Sequence, residues 1–326
     1  MTTNSADSPE TDGRTEPANP RVALATCSVM PRLDHDNAPL LRILAGLGVD
    51  AVPAVWDDES VDWSSFDAVV VRSVYDYAPR RDEFVAWAES VPNILNVAPA
   101  LRWNTHKFYL KDLEAAGIPV IPTLWLDPAR NLSSRAIHTR MPAHGRFVIK
   151  PVVSAGAKDT GRYESVDAES RGLAIMHAKK LLAEGRHVMV QPYMKSVDTA
   201  GEARLVFVDG EFSHAVTSST HLTGPHITDG HRPTQGLYRT ETIRSYEPTD
   251  EQVSVARRAI EVLQECVPEV GTPLYARADL VWGEDGVPTL LEFEVNEPNL
   301  FLSSSKGALE RFAGAIAARV LPGTAD

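Results

Sequence analysis

The chain has 326 residues, with 32 Lys and Arg against 44 Asp and Glu, a net charge of −12, and 43% hydrophobic residues. These proportions suit a soluble globular protein with room for two or three cores. No basic face is visible for neutralising a nucleic-acid backbone, and no apolar run approaches the roughly 18 residues that span a bilayer, so neither nucleic acid nor membrane is expected as a partner.

Residues 1–20 are rich in Thr, Ser, Asp, Glu and Pro without an apolar stretch. They predict a disordered tail and cannot serve as a secretory signal. Only Cys27 and Cys266 occur, which gives no disulfide framework and no zinc spacing, and the simplest compartment is a reducing cytoplasm.

Strand patterns follow at 21–27, 50–56, 66–72 and 93–97, alternating with helical spacings at 36–47 and 81–90. This alternation predicts an open α/β domain over 21–105. Ligands of such sheets sit at the carboxyl ends of strands, where Arg72, Ser73, Tyr75, Asp76 and Tyr77 stand. That group suits a small polar zwitterion, or equally a turn with packed tyrosines.

A helix is expected over 107–116, ending at Gly117-Ile118-Pro119. A strand at 146–150 ends on Lys150, and a small-residue loop at 153–161 follows at once. An ammonium and backbone N–H groups can hold phosphates there, although no Walker loop or dinucleotide fingerprint is present. Lys107 is a second phosphate candidate, or an exposed helix lysine. A helix at 169–184, a strand at 187–194 and a hairpin at 202–216 around Asp209-Gly210 come next. Residues 218–239 are polar and long for a structureless connection, so function or mobility is expected. His214, His221, His226 and His231 lack the tight helical spacing of a zinc site. Helices are expected over 249–267 and 307–320. Arg204 and Arg277 fall on strand patterns, which is costly unless each faces a cleft or a partner.

The most informative segment lies at 275–298. Its first half alternates like a strand through Arg277 and Asp279, Gly283 to Gly286 reads as a hairpin turn, and the second half places Glu292, Glu294 and Asn296 at i, i+2, i+4. Three carboxylates and an amide oxygen on one face repel one another unless a cation sits among them, and hard oxygens with spare positions suit Mg²⁺ shared with nucleotide phosphates. A solvated acidic edge hairpin is the plain alternative.

In this order and spacing the residues resemble the ATP-grasp superfamily over 21–322: Lys107 ahead of Gly117-Ile118-Pro119, Lys150 and its loop, Gln191 to Met194, Arg277 and Asp279, then Glu292, Glu294 and Asn296. Segments 71–77, 102–107 and 297–301 are similar to the O-ureido-D-serine cyclo-ligases, ATP-dependent enzymes that close the D-cycloserine ring. The match departs at Val74-Tyr75, where Thr-Trp is expected, and at Asn296, where that subgroup often has an apolar residue; the substrate stays open.

The resemblance implies an α/β ATP-grasp fold in which lobes 106–190 and 191–326, both α+β, enclose the nucleotide. It implies ATP and Mg²⁺, with Mn²⁺ as a substitute. Lys107 and Lys150 would grip phosphates beneath a loop containing Ser154 and Gly156. Gln191, Pro192, Tyr193 and Met194 would line the adenine pocket, and Asp198 would meet the ribose. Asp279, Glu292, Glu294 and Asn296 would hold the metal, and Arg204 and Arg277 would stabilise the transferred phosphoryl group. Arg72, Ser73, Tyr75, Asp76, Tyr77 and Asn299 would face a small amino-acid-like substrate. The implied activity is an ADP-forming carboxylate–amine ligase of antibiotic or secondary metabolism, working through an acyl phosphate, with the loop and 218–239 as lids. An intermolecular dipeptide-type ligase and a non-catalytic nucleotide-binding protein are the alternatives, and a homodimeric assembly stays open.

Overall fold

A computed structural model describes residues 18–218 and 243–322. Most of the expected tail, and all of the expected lid beyond Ser218, lie outside the described residues.

Strands β1 (Arg21–Thr26), β2 (Asp50–Val55), β3 (Ala68–Ser73) and β4 (Ile94–Leu95) form a parallel sheet in the order β2-β1-β3-β4. Successive residues of β1 and β3 are apolar because both faces are covered. Val22, Leu24 and Val70 pack under α1 (Leu40–Gly46) and α9 (Ala308–Val320), and Ala23, Ala25, Val69 and Val71 under α2 (Arg81–Ser90). The C-terminal helix thus closes the N-terminal sheet.

The helix expected over 36–47 begins only at Leu40. The Asp34 carboxylate accepts the N–H groups of Asp36 and Asn37 at 2.8 and 3.0 Å. Asp36 accepts those of Leu302 and Ser303 at 2.9 and 2.8 Å. Side-chain bonding of this kind competes with a helical turn.

A second, antiparallel sheet has the order β5-β8-β6-β7, from β5 (Leu124–Leu126), β6 (Arg146–Pro151), β7 (Gly161–Glu164) and β8 (Val188–Pro192). Helix α6 (Ala168–Ala183) packs Ala174, Ala178 and Leu181 against its Phe147, Ile149 and Val188. Short β5 and β7 carry too few residues to show an alternation in the sequence.

The third sheet is antiparallel, β11-β10-β9-β12-β13, built from β9 (Glu202–Val208), β10 (Glu211–Ser218), β11 (Arg244–Tyr246), β12 (Tyr275–Trp282) and β13 (Pro288–Glu294). Asp209 and Gly210 turn β9 into β10 with φ of 51° and 77°, both left-handed, as a tight hairpin turn requires. Helix α8 (Asp250–Cys266) starts at a Thr249–Gln252 capping box and packs Ala256, Ala259, Ile260 and Leu263 onto this sheet, beside α4 (Tyr109–Ala115).

Two asparagines tie α3 (Ala98–Asn104), which the sequence reading missed, to the end of β13. Asn104 donates to the Phe293 carbonyl at 2.8 Å and accepts from Val295 N–H at 2.8 Å. Asn96 does the same with Tyr275, Val295 and Leu274. No helix among the described residues is long and apolar enough to cross a membrane.

Candidate active site

The β12–β13 hairpin forms the floor of a cavity lined by residues of all three sheets and their loops. Register pairs Asp279 with Glu292 and Arg277 with Glu294, and β9 brings Arg204 opposite Asp279. Charged side chains of three neighbouring strands therefore emerge on one face. One oxygen each from Asp279, Glu292 and Glu294 lie within 4.8 Å of one another.

Cations interleave these acids. Arg277 forks onto Asp279 at 2.7 and 2.9 Å and reaches Glu294 at 3.0 Å. Arg204 lies 3.0 Å from Glu202 and 3.9 Å from Asp279. Lys107 Nζ lies 2.8 Å from Glu292 and donates to the Ser154 carbonyl at 3.1 Å. Burial disfavours the Glu292 anion, but Lys107 and Lys150 outweigh it and bring its pKa down to about 2. For Glu294, burial and the nearby Glu292 and Asp279 charges outweigh Arg277 and raise it to about 7.

Asn296 follows β13 and is 3% exposed, and its buried Oδ1 has no hydrogen-bond partner among the described residues. A buried amide oxygen left unsatisfied costs about 1–3 kcal/mol, so the position calls for a donor or a cation. With the three converging carboxylates of the same cavity, that oxygen makes up a hard donor set, which fits Mg²⁺.

Lys150 approaches the same cavity from β6. Among the described residues its ammonium makes no ion pair or hydrogen bond, and burial lowers its pKa. After it, Ser154, Gly156 and Thr160 line the cavity, and Gly156, Ala157 and Asp159 take φ of 58°, 57° and 56°. Left-handed residues here fold the loop back over the cavity and can turn backbone N–H groups toward an anion.

Gln191, Pro192, Tyr193 and Met194 line the cavity, where Tyr193 and Met194 cluster with Ile121, Val148 and Leu291 in an apolar slot. Gln191 Nε2 donates to Thr123 Oγ1 at 2.8 Å. Asp198, read as a ribose partner, is not in the cavity lining; it accepts from the Tyr193 hydroxyl at 2.6 Å and lies 3.6 Å from Arg146.

Tyr75, Tyr77 and Asn299 also line the cavity. Arg72, Ser73 and Asp76, expected beside them, do not. Arg72 is fully buried, donating to Asn37 at 2.8 Å and the Pro298 carbonyl at 2.9 Å, with the Tyr275 and Phe312 rings within 4.9 and 5.4 Å. Ser73 donates to Asp34 at 2.7 Å, and Asp76 accepts from Trp56 and Arg80. The contacts of these three hold the strand end in place, and none of the three is in the cavity lining.

Sequence reasoning missed Asn104, Glu202 and Glu297, all in the lining. Glu202 was legible as an acid two residues from Arg204. Burial pushes the Glu297 pKa well up, Glu294 and Glu292 add to this, and Lys107 opposes it.

A family model described as the N-terminal domain of D-cycloserine synthetase DcsG matches residues 22–98. The cycloserine biosynthesis protein DcsG of Streptomyces lavendulae is 38% identical over 311 residues, covering 92% of this chain and 99% of the relative. A crystal structure of D-cycloserine synthetase DcsG superposes with a TM-score of 0.80 at 36% identity, over 92% of this chain and all of that one. The RimK domain ATP-grasp protein of Sphaerobacter thermophilus DSM 20745 superposes with a TM-score of 0.64 at 20% identity, over 93% of this chain and all of that one, a likeness of fold.

Proposed function

This chain belongs to the D-cycloserine synthetase family of ATP-grasp ligases, and we propose that it closes the ring of O-ureido-D-serine by activating its carboxylate with ATP. It is an ADP-forming ligase that joins a carboxylate to a nitrogen, in antibiotic biosynthesis. One observation carries the reading of the site: Asp279, Glu292 and Glu294 converge within 4.8 Å in the same cavity as Lys107 and Lys150.

In this reading Gln191 to Met194 receive the adenine, and Lys107 and Lys150 grip the phosphates. Asp279, Glu292, Glu294 and Asn296 hold Mg²⁺, which neutralises phosphate charge when bound. The substrate carboxylate attacks the γ-phosphate in line and ADP leaves. Arg204 and Arg277 stabilise the charge on the transferred group, since phosphoryl transfer depends chiefly on positioning and electrostatics. A nitrogen of the same molecule then attacks the acyl carbon and phosphate departs. The loop from Ser154 onward shields the acyl phosphate from water.

Support comes from the 38% identity along nearly the whole relative and from the donor set of the floor. The test is ADP release across a panel of small amino acids that includes O-ureido-D-serine, followed by product mass. ADP with a cyclic product from that compound alone is expected. Turnover only with an added amine would instead indicate an intermolecular ligase.

A further inference from the structure

Five acidic residues line the cavity, and four have a cation close by: Glu202 has Arg204 at 3.0 Å, Asp279 has Arg277 at 2.7 Å, Glu292 has Lys107 at 2.8 Å, and Glu294 has Arg277 at 3.0 Å. Glu297 is the fifth. Among the described residues its carboxylate makes no ion pair, and the only hydrogen bond to it comes from its own backbone N–H. It follows Asn296 immediately, beyond the metal-side acids. Tyr75, Tyr77 and Asn299 share the cavity lining with it, and Tyr77 is near enough for the Glu297 charge to act on its phenol.

A half-buried carboxylate without a direct ion pair among the described residues, with Lys107 acting on it only from a distance, leaves part of its desolvation uncompensated. We propose that Glu297 is the specificity residue for the substrate's free ammonium group, pairing with that cation while the carboxylate of the same molecule faces Lys150 and the metal-side acids. The two charges without partners in the cavity, Lys150 and Glu297, then match the two kinds of charge that enter it. Phosphate goes to one and the amino acid's ammonium goes to the other. The phenols of Tyr75 and Tyr77 and the Asn299 amide bound the same subsite. An acid without the amino group would leave Glu297 buried and unpaired, so the site rejects it.

This rests on the ligase reading above. The probes are O-ureido-D-serine and its des-amino analogue, 3-(ureidooxy)propanoic acid, given to the full-length enzyme with saturating Mg²⁺ and ATP. Wild type is expected to prefer the amino compound in kcat/KM by about tenfold or more. Glu297→Gln is expected to raise KM for the amino compound by a similar factor and to remove the preference. KM for ATP and the Mg²⁺ requirement should stay within about twofold, the range of an effect that leaves the nucleotide site intact. Glu297→Asp, which keeps the charge, should retain the preference and guards against a folding defect in the first variant.

An unchanged preference in Glu297→Gln overturns the proposal. So does a rise in Mg²⁺ requirement that parallels the loss of activity, which would put Glu297 among the metal ligands. If wild type releases no ADP with O-ureido-D-serine, the substrate assignment fails on its own. The ammonium subsite is then tested by the same comparison on whichever amino acid of the panel stimulates ADP release, with its des-amino counterpart.

Discussion

Lys107 Nζ lies 2.8 Å from Glu292 Oε1, so a lysine and a carboxylate that both line the cavity neutralise each other there. Burial works against both charges, and each is kept ionised by the other: Lys107 is held above its ordinary pKa and Glu292 well below. In the proposed reading, bound nucleotide and metal would divide this pair between them.

Removing Lys107 alone strands Glu292. Lys107→Met should lower unfolding free energy by about 1–3 kcal/mol in urea titrations, less than a fully buried pair because Glu292 keeps some solvent. Adding Glu292→Gln should restore a good part of the loss. Strict additivity of the two changes would contradict the pairing.

Arg72 is fully buried. Arg72→Ala removes its bonds to Asn37 and Pro298 and its place between Tyr275 and Phe312, and should cost about 3–5 kcal/mol. Arg72→Lys should fall between, since an ammonium cannot reproduce the fork. A melting temperature within about 2 °C of wild type for Arg72→Ala would show the guanidinium is dispensable.

His177 sits buried against the Tyr163 hydroxyl at 2.9 Å, and burial lowers its pKa from 6.5 to about 4. The native state therefore resists protonating a ring that the unfolded chain protonates readily. Stability is fully present above pH 6.5 and is lost as the pH falls through about 4. His177→Leu should shrink the loss of unfolding free energy between neutral pH and pH 4 by about 2–3 kcal/mol. An identical pH slope in the variant would place the effect elsewhere, His106 being the other histidine lowered to about 4.

Phe301 holds φ at 51°, a strained value for an aromatic residue, and its ring lies 5.6 Å from the Arg204 guanidinium and 5.8 Å from that of Arg277. Phe301→Leu should lower kcat by about tenfold through the loss of two weak cation–π contacts, with less effect on KM for ATP. Phe301→Tyr should retain most activity. A Leu variant with wild-type kcat would mean the arginines are held without the ring.

The acidic hairpin was legible because its information is local: alternation sets the face, and Gly283 to Gly286 supply the turn. The parallel sheet was legible from the continuous apolar runs of β1 and β3. The burial of Arg72 was not legible, because two of its partners, Pro298 and Tyr275, lie more than 200 residues away in sequence, and a lone arginine at a strand end looks the same whether buried or open. Asp36 is similar: its bonds to Leu302 and Ser303 shorten a helix that periodicity extends. Glu297 stood in a quoted motif, but its lack of a partner shows only once every neighbouring acid has been paired.

The most direct measurement is ADP release by a variant that removes two floor carboxylates, Asp279→Asn with Glu294→Gln, under the same Mg²⁺, ATP and O-ureido-D-serine as wild type. Loss of turnover by about a thousandfold or more, with the fold retained by circular dichroism, is the predicted result. Undiminished ADP formation would contradict a metal site on this hairpin, and with it the account of the cavity.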